Sequence, residues 1–154
     1  QFGEIIDRGP TVMLGYWKRP LETAEALKGG WLRTGDVATL DGEGYLYIVD
    51  RKKDMIITGG ENVYPREVEE ALYQHHAVQE CSVIGVADPR WGEAVRAVVV
   101  AKAGPRPGPE ELIAFCTQRL AKYKVPKSVV FCEALPKDPL GKIQKRVLRE
   151  THRR

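Results

Sequence analysis

The sequence predicts an α+β fold: a β-rich tail of a larger N-terminal domain, followed by a small mixed, three-layer-like domain with a short sheet and flanking helices. Before Lys53, short apolar runs are separated by Gly and Pro turns, which is typical of strands and hairpins. After Lys53, β-branched runs alternate with amphipathic helical segments. The five consecutive charged residues 50–54 cannot be buried cheaply, so they predict an exposed joint between the two parts.

The first part, residues 1–52, is predicted to be mostly β-structure. Pro20 begins a short helical stretch that ends at Gly29-Gly30. Trp31–Leu40 and Tyr45–Val49 form a predicted hairpin around an Asp-Gly-Glu-Gly turn. These elements have no obvious way to close a core of their own. We therefore expect this part to be the C-terminal end of a larger domain, and the chain, which starts at Gln rather than Met, to be a piece of a longer protein.

The second part, residues 53–154, is predicted to be a compact unit of alternating strands and helices. It opens with a strand at Met55–Ile57 and a tight turn at Gly59-Gly60. Pro65 starts an amphipathic helix with Val68, Ala71 and Leu72 on one face. The later predicted elements are strands at Val78–Val86 and Ala94–Ala101, a helix from Glu110 to about Ala121 with Leu112, Ile113, Cys116 and Leu120 inward, a strand at Val129–Phe131 and a basic helix at Ile143–Arg149.

The composition is ordinary for a globular protein. At 154 residues with 43% hydrophobic residues, the chain is long enough to bury a core without disulfide bonds or structural metal ions. Its net charge of +3 does not demand a nucleic-acid partner. No apolar run approaches the roughly 20 residues that span a bilayer, and there is no signal-peptide pattern. Three widely spaced cysteines predict reduced, buried thiols in a cytoplasmic protein. The three histidines lack ligand partners at suitable spacing, so no metal site is predicted.

Three clusters of residues are candidates for chemistry. Asp36 follows Thr-Gly at a strand end, where a carboxylate can accept two hydrogen bonds from a vicinal diol such as ribose. Arg51 offers a planar fork of donors, and Gly59-Gly60 would let a thin ligand pass close to the backbone. Lys142 stands on a Pro- and Gly-rich loop, where its ammonium suits a carboxylate or phosphate that gains charge during a reaction.

Each cluster taken alone is more typical of ordinary structure. An aspartate after Thr-Gly commonly caps its own backbone in a turn. The segment around Arg51 and Gly59-Gly60, taken by itself, better fits an exposed charged turn followed by an ordinary β-turn. A loop lysine is usually only solvated, and the positive charges at Lys145, Arg146 and Arg149 fit a plain surface. The sequence contains no Gly-x-Ser-x-Gly, GxGxxG or Walker motif.

In this order and spacing, the three clusters resemble the C-terminal part of the AMP-forming acyl-CoA synthetases, over essentially the whole chain. Those enzymes join a carboxylic acid to ATP, giving an acyl-adenylate and pyrophosphate, and a thiol then displaces AMP to form a thioester. The resemblance implies ATP/AMP and CoA as ligands, and Mg²⁺ with ATP in the intact enzyme. It also implies a missing N-terminal domain of the same protein as partner, and a small-molecule acid as substrate. We expect this chain alone to be inactive.

The resemblance also implies roles for single residues. Asp36 and Arg51 correspond to ribose-binding residues, and Lys53 to the hinge about which a mobile C-terminal lid domain turns. Lys142 corresponds to the catalytic lysine that bridges the substrate carboxylate and the α-phosphate. Gly59-Gly60 resembles the turn that lines the pantetheine channel. For the CoA nucleotide, the resemblance implies packing of the adenine on Trp91 and Tyr123 and a phosphate near Lys127, although Val125 stands where some relatives carry Arg.

Two alternatives remain at this stage. The chain could be an adenylation domain of a peptide synthetase, which normally precedes a carrier domain, or a stand-alone CoA or acyl-carrier binding or regulatory module, which would not need Asp36 or Lys142. The sequence of the segment from Asp54 to Pro65 most resembles that of fatty-acyl and aryl-acyl CoA synthetases. The exposed apolar residues expected in the orphaned β segment also suggest self-association.

Overall fold

The computed structural model describes residues 2–152, and the chain divides into two compact units, Gln1–Lys53 and Asp54–Arg154. The first unit contains a three-stranded antiparallel sheet in the order β1-β2-β3. Its elements are β1 (Phe2–Asp7), helix α1 (Pro20–Ala26), a 3-10 turn (Lys28–Gly30), β2 (Leu32–Leu40) and β3 (Leu46–Arg51). The predicted hairpin is thus present, and the Asp41 carboxylate closes its turn by accepting hydrogen bonds from the backbone N–H groups of Glu43 and Tyr45, both at 2.9 Å.

The first unit has almost no core of its own. Among its described residues, only Val37 and Ala38 are fully buried. Large apolar side chains are exposed instead, and they include Phe2, Leu14, Trp17, Leu21, Leu40, Tyr45 and Leu46. A domain of this size normally hides such side chains, so these strands expose the surface that a larger fold would cover.

The second unit is built on a five-stranded sheet. Four strands run in the order β5-β4-β7-β6, and β8 pairs in parallel with β7. The strands are β4 (Ile56–Thr58), β5 (Glu61–Val63), β6 (Val78–Asp88), β7 (Gly92–Ala101) and β8 (Ser128–Phe131). The three helices of this unit are α2 (Pro65–Tyr73), α3 (Pro109–Thr117) and α4 (Lys145–Thr151).

Helices cover both faces of this sheet, which explains the continuous apolar runs of β6 and β7. Side chains of successive residues point to opposite faces, so Val83 joins a cluster with Val68 and Leu72 of α2, while Ile84 joins a second cluster with Leu148 of α4. Helix α3 contributes Leu112 and Cys116 to the first cluster. The α+β prediction with flanking helices is therefore confirmed.

Strand β6 lies at one edge of the sheet, and α2 protects this edge. The Glu69 carboxylate accepts a hydrogen bond from the Val83 N–H at 2.8 Å, and the Tyr73 hydroxyl accepts one from the Cys81 N–H at 3.3 Å. Groups that would otherwise be unpaired along the edge are satisfied in this way.

Three sequence expectations need correction. Helix α3 ends at Thr117 rather than near Ala121, where the Thr117 hydroxyl bonds to the carbonyl of Ile113 and the chain turns. Helix α4 begins at Lys145 rather than Ile143, because Ile143 pairs with Lys137 in an isolated β-bridge. Strand β5 was not predicted, since three residues, two of them polar, carry no recognisable alternation.

The cysteines are free, and Cys81 and Cys116 are buried as predicted, while Cys132 is only partly buried. Burial raises the pKa of the Cys81 thiol to about 12 and that of Cys116 to about 11, so both are inert thiols rather than nucleophiles. Within residues 2–152, none of the helices is long and apolar enough to cross a membrane.

Candidate functional site

Asp36 and Arg51 form an ion pair across the β2–β3 ladder. They are direct partners in the strand register, and the Arg51 Nε lies 2.6 Å from the Asp36 Oδ1. The Asp36 side chain is 24% exposed and that of Arg51 is 49% exposed, so the carboxylate is oriented but still reachable.

The backbone before Asp36 is shaped by its neighbours. Gly35 adopts a φ of +74°, which favours glycine, and the Thr34 hydroxyl accepts a hydrogen bond from the Asp36 N–H at 3.1 Å. The same hydroxyl donates to the carbonyl of Ile5 in β1 at 2.9 Å. The turn before Asp36 is therefore closed by the Thr34 hydroxyl, and the Asp36 carboxylate pairs with Arg51 instead of with its own turn.

The joint between the units has an anchored residue on each side of Lys53. The Lys52 ammonium lies 2.9 Å from Glu4 in the first unit, and its hydrogen bond lowers the pKa of that carboxyl group. On the other side, the Asp54 Oδ1 lies 2.7 Å from the Arg149 Nη2 in the second unit. Lys53 is exposed within the 3-10 turn Lys52–Asp54, and its side chain makes no hydrogen bond or ion pair with any described residue.

Gly59 and Gly60 form the two-residue turn of the β4–β5 hairpin, with φ values of +59° and +86°. The Trp91 ring packs directly on Gly59, since a Cβ placed there would lie 2.9 Å from the Trp91 Cε3. The Gly59 N–H also donates to the Trp91 carbonyl at 2.8 Å. The Arg90 guanidinium lies 4.6 Å from the centroid of the same ring, and Trp91 remains 41% exposed. Two sequence candidates, the glycine turn and Trp91, thus form one surface.

We expect Gly59→Ala to destabilise the chain more than Gly60→Ala. Both changes place an L-residue in the left-handed region, at a cost of about 1–2 kcal/mol. Only the methyl group at Gly59 would displace the indole of Trp91, adding about 1–3 kcal/mol of overpacking. Urea unfolding of the two variants measures the difference, with Gly60→Ala as the matched control because nothing lies within 4 Å of its Cβ position. Equal losses would contradict the packing of Trp91 on Gly59.

The glycine turn is held in place by Glu93, which the sequence did not single out. The Glu93 Oε2 accepts a hydrogen bond from the Ile57 N–H at 2.8 Å, and this bond adds to the single ladder pair between β4 and β7. The carboxylate lies over Gly85, where any Cβ would approach its Oε1 to 2.7 Å. A sequence signal for this contact was lacking, because its two groups are 36 positions apart.

Tyr123 and Lys127 lie in the segment that leads into β8. Both side chains are exposed, and the Lys127 N–H donates to the Val95 carbonyl at 2.8 Å, which fixes the backbone there. Between them, Lys124 forms an ion pair with Glu67 of α2 at 2.7 Å, and Val125 is buried. Val125 is therefore part of the core rather than a ligand contact.

Lys142 lies on a loop whose backbone is tightly organised. The Asp138 carboxylate accepts hydrogen bonds from the N–H groups of Leu140 and Lys142, both at 2.9 Å. The Asp138 N–H donates to the Lys142 carbonyl at 2.9 Å, and Gly141 turns the chain with a φ of +82°. The Lys142 side chain is exposed, and no residue in the range 2–152 forms a hydrogen bond or ion pair with its ammonium.

The positive charges after Lys142 are not all plain surface, which corrects the bland interpretation of that segment. The Lys145 Nζ lies 2.8 Å from the Glu69 Oε1, and these side chains are only 16% and 18% exposed. Arg149 is paired with Asp54, as described above. Arg146 alone fits the surface interpretation, since its pair with Glu150 is largely solvated.

The observed contacts bring together two sets of the candidate residues that the sequence predicted. They bring Asp36 to Arg51 and the glycine turn to Trp91. Within the second unit, they do not join Lys142, Tyr123 or Lys127 to the glycine turn. The described part of the chain also has no group of three or more His, Cys, Asp or Glu residues that could hold a metal ion.

Comparison with known proteins gives one consistent answer. The family model of the AMP-binding enzyme C-terminal domain matches residues 67–142. The chain is 59% identical over 143 residues to a feruloyl-CoA synthase of Amycolatopsis sp, covering 93% of the chain and 29% of that protein. It is 57% identical over 150 residues to a long-chain-fatty-acid–CoA ligase of Bacillus subtilis (strain 168), covering 97% of the chain and 27% of the ligase.

The fold agrees with these sequence matches. The crystal structure of ATP-bound MatB from Rhodopseudomonas palustris superposes with a TM-score of 0.93 at 41% identity, covering 99% of this chain and 31% of MatB. The chain therefore spans less than a third of the length of the proteins it matches, and it corresponds to their C-terminal part.

Proposed function

Because the chain belongs to the family of AMP-binding enzyme C-terminal domains, we propose that it is the C-terminal portion of an ATP-dependent acid–CoA ligase acting on a fatty or aryl acid. In the first half-reaction, a carboxylate oxygen of the acid attacks the α-phosphorus of ATP, and pyrophosphate leaves. In the second, the sulfur of CoA attacks the acyl carbon, and AMP leaves with the former carboxylate oxygen. The high identity to a feruloyl-CoA synthase and a long-chain-fatty-acid–CoA ligase supports this substrate range.

The presentation of Lys142 carries the proposal. Its ammonium has no partner within residues 2–152, although the backbone that bears it is held by Asp138. A cation that is carried on a well-held backbone and pairs with no neighbouring charge can stabilise negative charge as it develops on a transferring group. In the proposed adenylation, this charge lies between the attacking carboxylate and the α-phosphate. Lys142 is thus the catalytic residue of the first half-reaction.

The ion pair of Asp36 and Arg51 is proposed to bind the ribose of ATP and AMP. Arg51 lies against the Oδ1 of the carboxylate and thereby orients this partly exposed group for contact with a diol. A carboxylate that accepts hydrogen bonds from both hydroxyl groups of a diol recognises a ribose by the fixed spacing of those groups. Arg51 retains donors beyond the Nε that it uses here, and these can reach a ribose oxygen.

The surface of the glycine turn and Trp91 is proposed to serve the second half-reaction. The Trp91 ring fills the Cβ position of Gly59, but that of Gly60 is open, so the backbone of the turn can approach the narrow pantetheine arm of CoA there. Trp91, with 41% of its surface exposed, and Tyr123 offer rings for the adenine, and Lys127 offers a charge for a phosphate. Lys53 is the proposed hinge of the lid, because its neighbours on both sides are anchored while it is not.

The rest of the N-terminal domain is the proposed partner of the first unit. The exposed strands of that unit border an apolar groove of about 460 Å³, lined by Phe2, Ile5, Ala38, Leu40 and Leu46 among others. The matched relatives are more than three times as long as this chain. Burying these side chains against such an additional part of the protein removes apolar surface from water. Self-association through the same strands would compete with this contact. Three free cysteines support a cytoplasmic location.

A fusion protein tests the proposal. We would join this chain to the part of the Bacillus subtilis ligase that precedes the matched segment, and assay pyrophosphate release with ATP and a long-chain fatty acid, then thioester formation with CoA. We expect activity in the fusion and none in the chain alone, since the chain spans less than a third of the relatives it matches. Pyrophosphate release by the chain alone, or a folded but inert fusion, would contradict the proposal. Tight CoA binding by the chain together with an inert fusion would instead identify a stand-alone binding module.

A further inference from the structure

Helix α4 follows the Lys142 loop directly, so whatever holds α4 also positions Lys142. The helix has seven residues, too few to be stable without tertiary contacts. One apolar side chain, Leu148, is fully buried in the second core cluster. The N–H of Gln144, immediately before the helix, donates to the Pro136 carbonyl at 2.8 Å and closes the base of the loop.

Two ion pairs hold the helix at its beginning and toward its end. Lys145 meets Glu69 of α2 at 2.8 Å, where Glu69 also accepts the Val83 N–H. Arg149 meets Asp54 at 2.7 Å, with side-chain exposures of 32% and 14%. These side chains are substantially removed from solvent, so the pairs are less screened than a surface pair, and losing one partner leaves the other uncompensated.

The second of these pairs connects two parts of the proposed machinery. Asp54 is the first residue after the proposed hinge at Lys53, and Arg149 lies seven positions after Lys142 on the helix that continues its loop. If the backbone rotates at Lys53, the Asp54–Arg149 ion pair transmits this rotation directly to α4. Without the pair, the rotation would be transmitted only through the sheet. The Asp138 hydrogen bonds extend this rigid connection to the backbone of Lys142.

We propose that Asp54 and Arg149 are positioning residues, which make the Lys142 loop move as one piece with the residue that follows the hinge. This inference rests on the proposed function. The pair touches no substrate; it acts through the placement of Lys142. Its loss is expected to impair adenylation, which needs that placement, and to spare thioester formation, which is assigned to the glycine turn and Trp91.

The test compares Arg149→Ala with Arg146→Ala in the intact enzyme that contains this chain. Both residues lie on α4 and form ion pairs at 2.7 Å, but the pair of Arg146 is solvated and connects only to Glu150. We expect Arg149→Ala to slow adenylation by about 10²-fold, the size of effect that a misplaced catalytic group can produce. Thioester formation from supplied acyl-adenylate should stay within about twofold, and Arg146→Ala should change neither step, since a solvated pair contributes little.

A double-mutant cycle separates positioning from a general loss of structure. Asp54→Ala should reproduce the selective loss, and Asp54→Ala with Arg149→Ala should be no worse than either single change, because the partners act as one unit. Arg149→Lys should recover much of the adenylation rate. Thioester formation is the internal measure of folding, so a variant that loses both steps equally overturns the inference. Additive losses, or an Arg149→Ala variant that behaves like Arg146→Ala, also overturn it.

The outcome for the unmodified enzyme distinguishes this inference from the proposed function. If the unmodified enzyme forms no acyl-adenylate, the proposed function fails. If it forms acyl-adenylate and thioester normally while the variants show no selective effect, only the positioning role fails.

Discussion

Replacing Lys142 by alanine in the intact enzyme is expected to slow acyl-adenylate formation by about 10²–10³-fold, or about 2.7–4 kcal/mol of barrier. The proposed transition state places charge between the carboxylate and the α-phosphate, and Lys142 offers an ammonium that no described residue engages. Thioester formation from supplied acyl-adenylate should be nearly unchanged, because the proposed second step uses the glycine turn and Trp91 instead of Lys142. The two half-reactions are measured separately by pyrophosphate release and by release of AMP with CoA.

Lys122→Ala is the matched control for this prediction. Lys122 is an exposed lysine in the same unit, and it forms no hydrogen bond or ion pair with other residues in the range 2–152. Removing its charge should alter neither half-reaction, which excludes a general effect of net charge. An equal loss of both half-reactions in Lys142→Ala would refute the selective role of Lys142.

The predictions for Lys142 and Arg149 both concern the placement of the Lys142 ammonium, but the two substitutions act on it differently. Lys142→Ala removes the charge itself, so no repositioning can restore adenylation. Arg149→Ala leaves the charge and loosens its support, so Arg149→Lys should recover activity. The structural basis of this difference is the loop of Asp138, which fixes the backbone of Lys142 without engaging its side chain.

The secondary structure of the second unit was predictable because its signals are local. Pro65 stands at the first turn of α2, and the spacing of Val68 and Leu72 gives that helix one buried face. The continuous β-branched runs of β6 and β7 match strands that are covered on both faces. The predicted bounds of an element were wrong where a tertiary contact decides them. Ile143 is an example, because it forms a β-bridge to Lys137 and α4 therefore begins only at Lys145.

The candidate site was predictable in its residue types but not in its partnerships. A glycine pair and a lysine on a Pro- and Gly-rich loop can be seen in the sequence alone. The partners of α4 cannot, since Lys145 and Glu69 are 76 positions apart and Arg149 and Asp54 are 95 positions apart. Charged residues at such separations resemble any solvated surface until the fold brings them together. This is why three basic residues in one short helix turn out to have different environments.

Replacing Asp36 by alanine is expected to raise the KM for ATP by about 10²-fold, because hydrogen bonds to a charged group contribute about 1.5–3 kcal/mol each. The change also frees Arg51, but its side chain is 49% exposed, so unfolding is not expected. The sharper readout uses the substrate. The unmodified enzyme should bind 2′-deoxy-ATP about tenfold more weakly than ATP, since one hydroxyl is missing.

In Asp36→Ala, the difference between ATP and 2′-deoxy-ATP should nearly vanish, because the group that recognises the hydroxyl is gone. The matched control is Glu22→Ala, which removes an ion-paired carboxylate, 2.8 Å from Arg19, elsewhere in the same unit. That variant should retain the full discrimination between the two nucleotides. A 2′-deoxy penalty that persists in Asp36→Ala would show that another group reads the ribose. The ion pair of Asp36 with Arg51 would then serve only to join β2 to β3.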